Sequence, residues 1–181
     1  MVVLAALVMA TVLVFCAPMA DARKKHLHVV RCPTEADGFS CIGTAGNDHL
    51  VGRAGTFDVI RGQEGNDVYE GNGGSFGRDF LLDESTTSSD TYVFKDPDLV
   101  GDSFIDDCGG GSDTVDLSST SFRLLDNVTI SRQNDAQSLC PGATDADDLT
   151  LTGPEGTVEI IDQYGVGKME KIKFANGTLT F

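Results

Sequence analysis

The sequence predicts an all-β fold: a parallel β-roll, a flattened solenoid, capped by C-terminal antiparallel strands. Three observations point there. A nine-residue glycine–aspartate frame recurs from Gly43 onward. Each copy ends in a short run with a large apolar residue at its centre. After Leu117 glycine thins out and alternating strands joined by tight turns take over. The 181 residues include 21 glycines and no tryptophan, with aromatics at 7%, which argues against a conventional packed core.

The frame is G-x-x-G-x-D-x-U-x, where U is large and apolar. GTAGNDHLV begins at Gly43, GRAGTFDVIR at Gly52 with one extra residue before its aspartate, and GQEGNDVYE at Gly62. GSFGRDFLL begins at Gly74 after a three-residue insertion. The next copy is nearly lost, though Asp90-Thr91-Tyr92 keeps its final part. A clearer one, CGGGSDTVD, has Cys108 in the place of the first glycine and Gly109, Gly110 and Gly111 ahead of Asp113 and Val115. The apolar positions are Leu50, Ile60, Tyr69 and Leu81.

This spacing has a physical meaning. Six residues make a turn, with glycine where φ is positive or backbones meet closely. Three residues make a short strand whose central side chain points inward. Two units complete one coil, so equivalent turns stack two units apart at about 4.8 Å. Asp48 is then expected to face Asp67 on one edge, and Asp58 to face Asp79 on the other. Stacked turns that expose carbonyls and a carboxylate form an oxygen cage suited to a hard cation. The competing explanation is that glycine and aspartate recur merely as turn residues of an ordinary β-sandwich. Aspartate at one fixed position in four near-periodic copies argues against it.

These repeats resemble the haemolysin-type calcium-binding repeats of RTX proteins, over about residues 43 to 117 and more weakly after Leu82. The resemblance implies a parallel β-roll with Ca2+ held by aspartates and turn carbonyls. Carried onto this sequence, the ligand aspartates are Asp48, Asp58, Asp67, Asp79 and Asp113, in turns shaped by Gly43, Gly46, Gly52, Gly55, Gly62, Gly65, Gly77 and Gly111. Thr44, Arg53, Ala54 and Gln63 depart from the residues usual at their positions. The insertions at Thr56-Phe57 and ahead of Gly74 distort the frame, so fewer cation sites than repeats are expected.

The C-terminal strands follow from pattern. Asn127–Ser131 and Asp148–Thr152 alternate. The latter is ended by the turn Gly153-Pro154-Glu155-Gly156 and answered by Thr157–Ile161. Ile172 and Phe174 alternate with lysines ahead of Asn176-Gly177, a two-residue hairpin signal. The whole segment resembles the one that closes many RTX rolls, with Asn176 in the place of an aspartate. It would cover apolar strands and unpaired edges at the end of the solenoid.

The N-terminus reads as an export signal. Met1 to Phe15 is almost wholly apolar, and Ala20-Asp21-Ala22 fits an A-x-A cleavage pattern before Arg23. No lysine or arginine precedes the apolar run, whereas Arg23, Lys24 and Lys25 follow it, an order that also suits a retained anchor. Cleavage would remove Cys16 and leave Cys32, Cys41, Cys108 and Cys140. An even number in an exported chain suggests two disulfides, and of the three possible pairings the nearest-neighbour one, Cys32 with Cys41 and Cys108 with Cys140, is expected. The organisation is thus a signal peptide over 1–22, an N-terminal disulfide loop or cap over 23–42, the roll over 43–117 and capping strands over 118–181.

Charge narrows the partners. With 28 acids against 13 bases and a formal charge of −15, nucleic acid and anionic membrane surfaces are excluded, and cations, or plain solvation, explain the excess. The histidines offer little: His26 and His28 lie in a basic tail, and His49 is expected to face solvent. No C-x-x-C, H-E-x-x-H or G-x-S-x-G occurs. The expectation is a secreted, extracellular and monomeric calcium-binding roll, non-enzymatic, with no membrane insertion after signal cleavage. Its rival is a cell-surface or polysaccharide-binding adhesin, or the scaffold module of an extracellular enzyme.

Overall fold

The computed structural model describes residues 27–33, 40–72, 79–95, 101–133, 138–143, 147–161, 163 and 169–181. The export-signal residues 1–22 and Gly77 lie outside them. Among the described residues there is no helix, and so none long and apolar enough to cross a membrane. The fold is a parallel β-solenoid continued by antiparallel strands, as the repeat pattern predicts.

Its strands are β1 (His28–Arg31), β2 (Ser40–Ile42), β3 (Asp48–Val51), β4 (Asp58–Arg61), β5 (Val68–Glu70), β6 (Asp79–Asp83), β7 (Thr91–Lys95), β8 (Gly101–Asp107), β9 (Thr114–Ser119), β10 (Thr129–Gln133), β11 (Asp148–Gly153), β12 (Gly156–Ile160), β13 (Lys171–Phe174) and β14 (Gly177–Thr180). From β1 to β10 successive strands alternate between two sheets. One runs β1-β3-β5-β7-β9-β13-β14, the other β2-β4-β6-β8-β12-β11-β10. Pairing is parallel from β1 through β13 in the first sheet and from β2 through β12 in the second. Two units per coil is therefore the observed arrangement.

Alternate residues of a strand point inward, so each strand of the roll places one side chain in a core row, and the longer strands β7, β9, β12 and β13 bury a second, Phe94, Leu117, Val158 and Phe174. One row is Leu50, Tyr69, Tyr92, Val115 and Ile172, and the facing row is Cys41, Ile60, Leu81, Ile105 and Ile160. All are fully or almost fully buried. The four apolar positions of the repeat frame, Leu50, Ile60, Tyr69 and Leu81, are among them.

The roll reaches beyond the repeats at both ends. β1 and β2 add parallel strands ahead of Gly43, and β12 and β13 add one more beyond β8 and β9. Only then do hairpins finish each sheet: β11–β12 turns through Pro154-Glu155, and β13–β14 pairs Phe174 with Gly177. The last loop is thus Ala175-Asn176, one residue earlier than the Asn-Gly signal suggests, with Gly177 already in the strand. Asn176 instead braces residue 124: its Oδ1 accepts the Leu124 N–H at 2.8 Å and its Nδ2 donates to the Leu124 carbonyl at 3.1 Å. β10 starts at Thr129, two residues after the expected Asn127.

Both expected disulfides form. Cys32 pairs with Cys41 and Cys108 with Cys140, with Cα separations of 4.9 and 5.1 Å. The first closes the loop between β1 and β2. The second ties the turn after β8 to the segment around 138–143. Two such pairs point to an oxidising compartment.

Candidate metal centre

The turns fall on two edges. On the first edge the chain passes from β2 to β3, β4 to β5, β6 to β7, β8 to β9 and β12 to β13. A parallel strand begins with an N–H that needs an acceptor on the next coil. Here the turn's last side chain supplies it. Asp48 N–H donates to Asp67 Oδ1 at 2.8 Å, Asp67 N–H to Asp90 Oδ1 at 2.6 Å, Asp90 N–H to Asp113 Oδ1 at 2.7 Å, and Asp113 N–H to Glu170 Oε2 at 2.7 Å. A second ladder runs one residue earlier, where Asn66, Ser89 and Ser112 N–H groups donate to the side chains of Asn47, Asn66 and Ser89. The fixed aspartate of the repeat thus joins coil to coil through one oxygen. Its second oxygen, Oδ2, is what differs from turn to turn.

In the first turn Asp48 Oδ2 accepts the Thr44 N–H at 2.6 Å and the Thr44 hydroxyl at 2.8 Å, and His28 Nδ1 lies 2.8 Å from Oδ1. Burial alone would raise the Asp48 carboxyl, but these partners hold it below its ordinary value. On the second edge Asp58 faces Asp79 as expected, and the Asp58 N–H donates to Asp79 Oδ1 at 3.1 Å. Arg53 satisfies Asp58 twice: its N–H reaches Oδ2 at 2.6 Å and its Nε reaches Oδ1 at 2.8 Å. The arginine at a position often filled by glycine or a small polar residue is therefore a built-in cation.

The remaining three repeat aspartates differ. Asp67, Asp90 and Asp113 are each 1% exposed, yet Oδ2 of each has no hydrogen-bond partner. Two further buried acids, Asp83 and Asp107, lie against them. Asp67, Asp83 and Asp90 form one cluster, and Asp90, Asp107 and Asp113 a second. In each, one oxygen per residue lies within 4.8 Å of the other two. Asp90 belongs to both.

The positions of Asp83 and Asp107 follow from register. β6 and β8 place Asp83 opposite Asp107, and the bonds from Gly43 N–H to the Arg61 carbonyl and from Gly62 N–H to the Leu82 carbonyl put Gly43 and Gly62 in the same row. Asp107, rather than Cys108, therefore occupies the row of the frame's first glycine, and the turn it opens is one residue longer than the spacing suggests. Asp83 Oδ2 accepts the Ser85 N–H and the Ser88 hydroxyl, both at 3.1 Å, and Asp107 Oδ1 accepts the Gly109 N–H at 2.7 Å. From the core side Tyr69 donates to Asp83 Oδ1 at 3.2 Å and Tyr92 to Asp107 Oδ2 at 2.8 Å, with the two rings stacked at 4.7 Å.

The electrostatics are strained. Burial is the main cause of a raised carboxyl value for every member, and neighbouring carboxylates add to it at Asp67, Asp83, Asp107 and Asp113. Asp67 is pushed up to about 7 and Asp107 to about 7. Asp83 and Asp113 are pushed up to about 8, and Asp90 is raised as well. Among the described residues no lysine or arginine bonds to these five buried acids, and such a group is compensated by protons or by a cation.

Among the ligand positions carried over from the resemblance, then, Asp67 and Asp113 enter the clusters, whereas Asp48 and Asp58 are satisfied by protein groups and Asp79 pairs with Asp58. Gly43 and Gly62 open first-edge turns; Gly46, Gly65 and Gly111 shape them. Gly52 and Gly55 lie on the second edge. A Cβ at Gly65, whose φ is +112°, would sit 2.6 Å from the Gly46 backbone, so this glycine is what lets the two turns stack. Asp83 and Asp107 escape a motif search because they stand where the frame has glycine. The available signal is an acid following a strand where a new unit should open.

Fold and site together define a parallel β-solenoid with buried aspartate clusters, able to hold a metal ion, along one edge. No model of a known protein family matches the chain, and no curated protein is significantly similar to it.

Proposed function

We propose that this chain is an exported, non-enzymatic calcium-binding β-roll of RTX type, in which Ca2+ at the first edge stabilises or drives folding. The observation that carries the reading is the set of three buried, orphaned carboxylate oxygens on Asp67, Asp90 and Asp113, residues that belong to the two acid clusters. Groups this costly to bury without a partner need an explanation. The donor set is all oxygen, which suits a hard cation, and the repeats resemble those that hold calcium elsewhere.

A bound divalent cation would supply positive charge between the carboxylates and so tie each turn to the next. The chain's own residues prepare the place. Ladder bonds through Oδ1 fix the spacing of successive turns and leave Oδ2 free. Ser85, Ser88 and Gly109 hold Asp83 and Asp107. The disulfides and the net charge of −15 support an extracellular setting, where calcium is plentiful.

The test is the calcium content of the purified chain together with circular dichroism in chelator and in calcium. Bound calcium, with β-structure or melting temperature that falls on chelation, is the expected result. A chain that binds no calcium and melts identically in both buffers overturns the reading.

A further inference from the structure

The coils can be compared with one another. In the first complete coil the inward residue of β3 is Leu50, and the next position in the glycine row is Gly62. In the following coils the inward residues are Tyr69 and Tyr92, and the row residues one coil on are Asp83 and Asp107. Tyrosine and aspartate thus change together, coil by coil. Each tyrosine hydroxyl reaches the aspartate of the next coil, Tyr69 to Asp83 and Tyr92 to Asp107. The match is steric as well as polar. A Cβ at Gly62 would lie 1.9 Å from the Tyr69 hydroxyl and 2.5 Å from Asp67 Oδ2. The glycine therefore makes room for the tyrosine that faces Asp83.

We infer that the paired replacements Tyr69/Asp83 and Tyr92/Asp107 build two joined cation sites inside the first edge, sharing Asp90, with the tyrosine hydroxyls as positioning groups for the two added acids. The inference rests on the cation reading above and adds to it the residues, the number of ions and their coupling. Three facts carry it. The unpartnered oxygens are buried and belong to Asp67, Asp90 and Asp113, three members of the clusters. The two clusters have Asp90 in common. Turns without an added acid, those of Asp48 and Asp58, satisfy their aspartates with protein groups instead. Charge agrees with two ions: five carboxylates are nearly balanced by two divalent cations, and one ion would leave a large buried excess.

Terbium is the probe, because it replaces calcium at oxygen sites and emits when excited through a nearby tyrosine. The chain has three tyrosines and no tryptophan, so sensitised emission reports tyrosine proximity directly. Full-length mature protein is titrated with terbium, and calcium stoichiometry is counted by native mass spectrometry. Two ions per chain are expected at these clusters, with sensitised emission. Asp90→Asn should abolish both, whereas Asp83→Asn and Asp107→Asn should each remove one. Tyr69→Phe should lower the emission and weaken affinity about tenfold, the scale of losing a group that orients a ligand. Native-like circular dichroism of each variant in calcium keeps these losses distinct from misfolding, and Tyr69→Phe serves where Tyr92→Phe does not fold. Calcium binding that keeps its full stoichiometry in Asp83→Asn and Asp107→Asn overturns this inference and leaves the cation reading standing. A wild-type chain that binds neither ion overturns both.

Discussion

Asp90→Asn is expected to change sign with the buffer. The substitution keeps the shape and the Oδ1 acceptor that takes the Asp67 N–H at 2.6 Å, and leaves the Asp90 N–H bonded to Asp113 Oδ1. What it removes is one charge and one ligand oxygen shared by two clusters. Without divalent cations, that charge has carboxylate neighbours on both sides at distances up to 4.8 Å. At an effective dielectric near 20, one such pair repels by about 3 kcal/mol. Proton uptake relieves part of this, since the neighbours' values are already raised. A net gain of about 2 kcal/mol for the variant in chelator, near the pH of about 8 where Asp83 and Asp113 ionise, is the expected outcome. In calcium the balance inverts. Each site at tenfold excess over its dissociation constant adds about 1.4 kcal/mol, so losing two costs about 3 kcal/mol. Urea unfolding followed by far-ultraviolet circular dichroism, in chelator and in calcium, measures both numbers. If the variant is equally destabilised in the two buffers, Asp90 is only a ladder acceptor and the argument from crowded charge fails.

The remaining predictions concern protons, the second edge and the stacking of turns. The folded-state values of Asp67, Asp83, Asp107 and Asp113 lie above the unfolded value of 3.8, so the folded chain binds more protons. In chelator, stability should be greatest near pH 4 and fall as pH rises through about 7 to 8, and calcium should flatten the fall; urea midpoints that rise from acid to neutral pH in chelator would contradict this. Arg53→Met leaves buried Asp58 without its charge partner and should cost about 3 kcal/mol in calcium and in chelator alike, read from the same unfolding curves. Gly110→Ala would place a Cβ 2.1 Å from the Thr86 backbone at a φ of +117°. It should destabilise by well over about 1 kcal/mol and weaken calcium binding at the Asp90–Asp107–Asp113 cluster, measured by calorimetric titration.

Much of the architecture is legible in the sequence. The nine-residue frame carries both periods of the fold, two residues for the strand and two units for the coil. Leu50, Ile60, Tyr69 and Leu81 could therefore be assigned inward, and Asp58 could be set against Asp79. The cysteine pairs followed from nearness along the chain. The ends were less legible. β1 and β2 carry no frame, yet they add parallel strands because the exposed edge of β3 and β4 accepts any extended chain with free backbone groups.

For the site, the sequence by itself determined that aspartates would line up along the edges of a roll, because a parallel stack repeats each residue above its counterpart. Tertiary structure decided which of them are left wanting a cation. Thr44 and Arg53 are local to Asp48 and Asp58 in sequence, but whether they satisfy those carboxylates depends on how each turn closes. Asp83 and Asp107 are 24 residues apart and meet only because β6 and β8 pair in that register. Asp90 becomes the shared member because its turn lies between the other two. Buried charge is a property of neighbours across coils, and a one-dimensional pattern marks the rows without showing which oxygens in them find a partner.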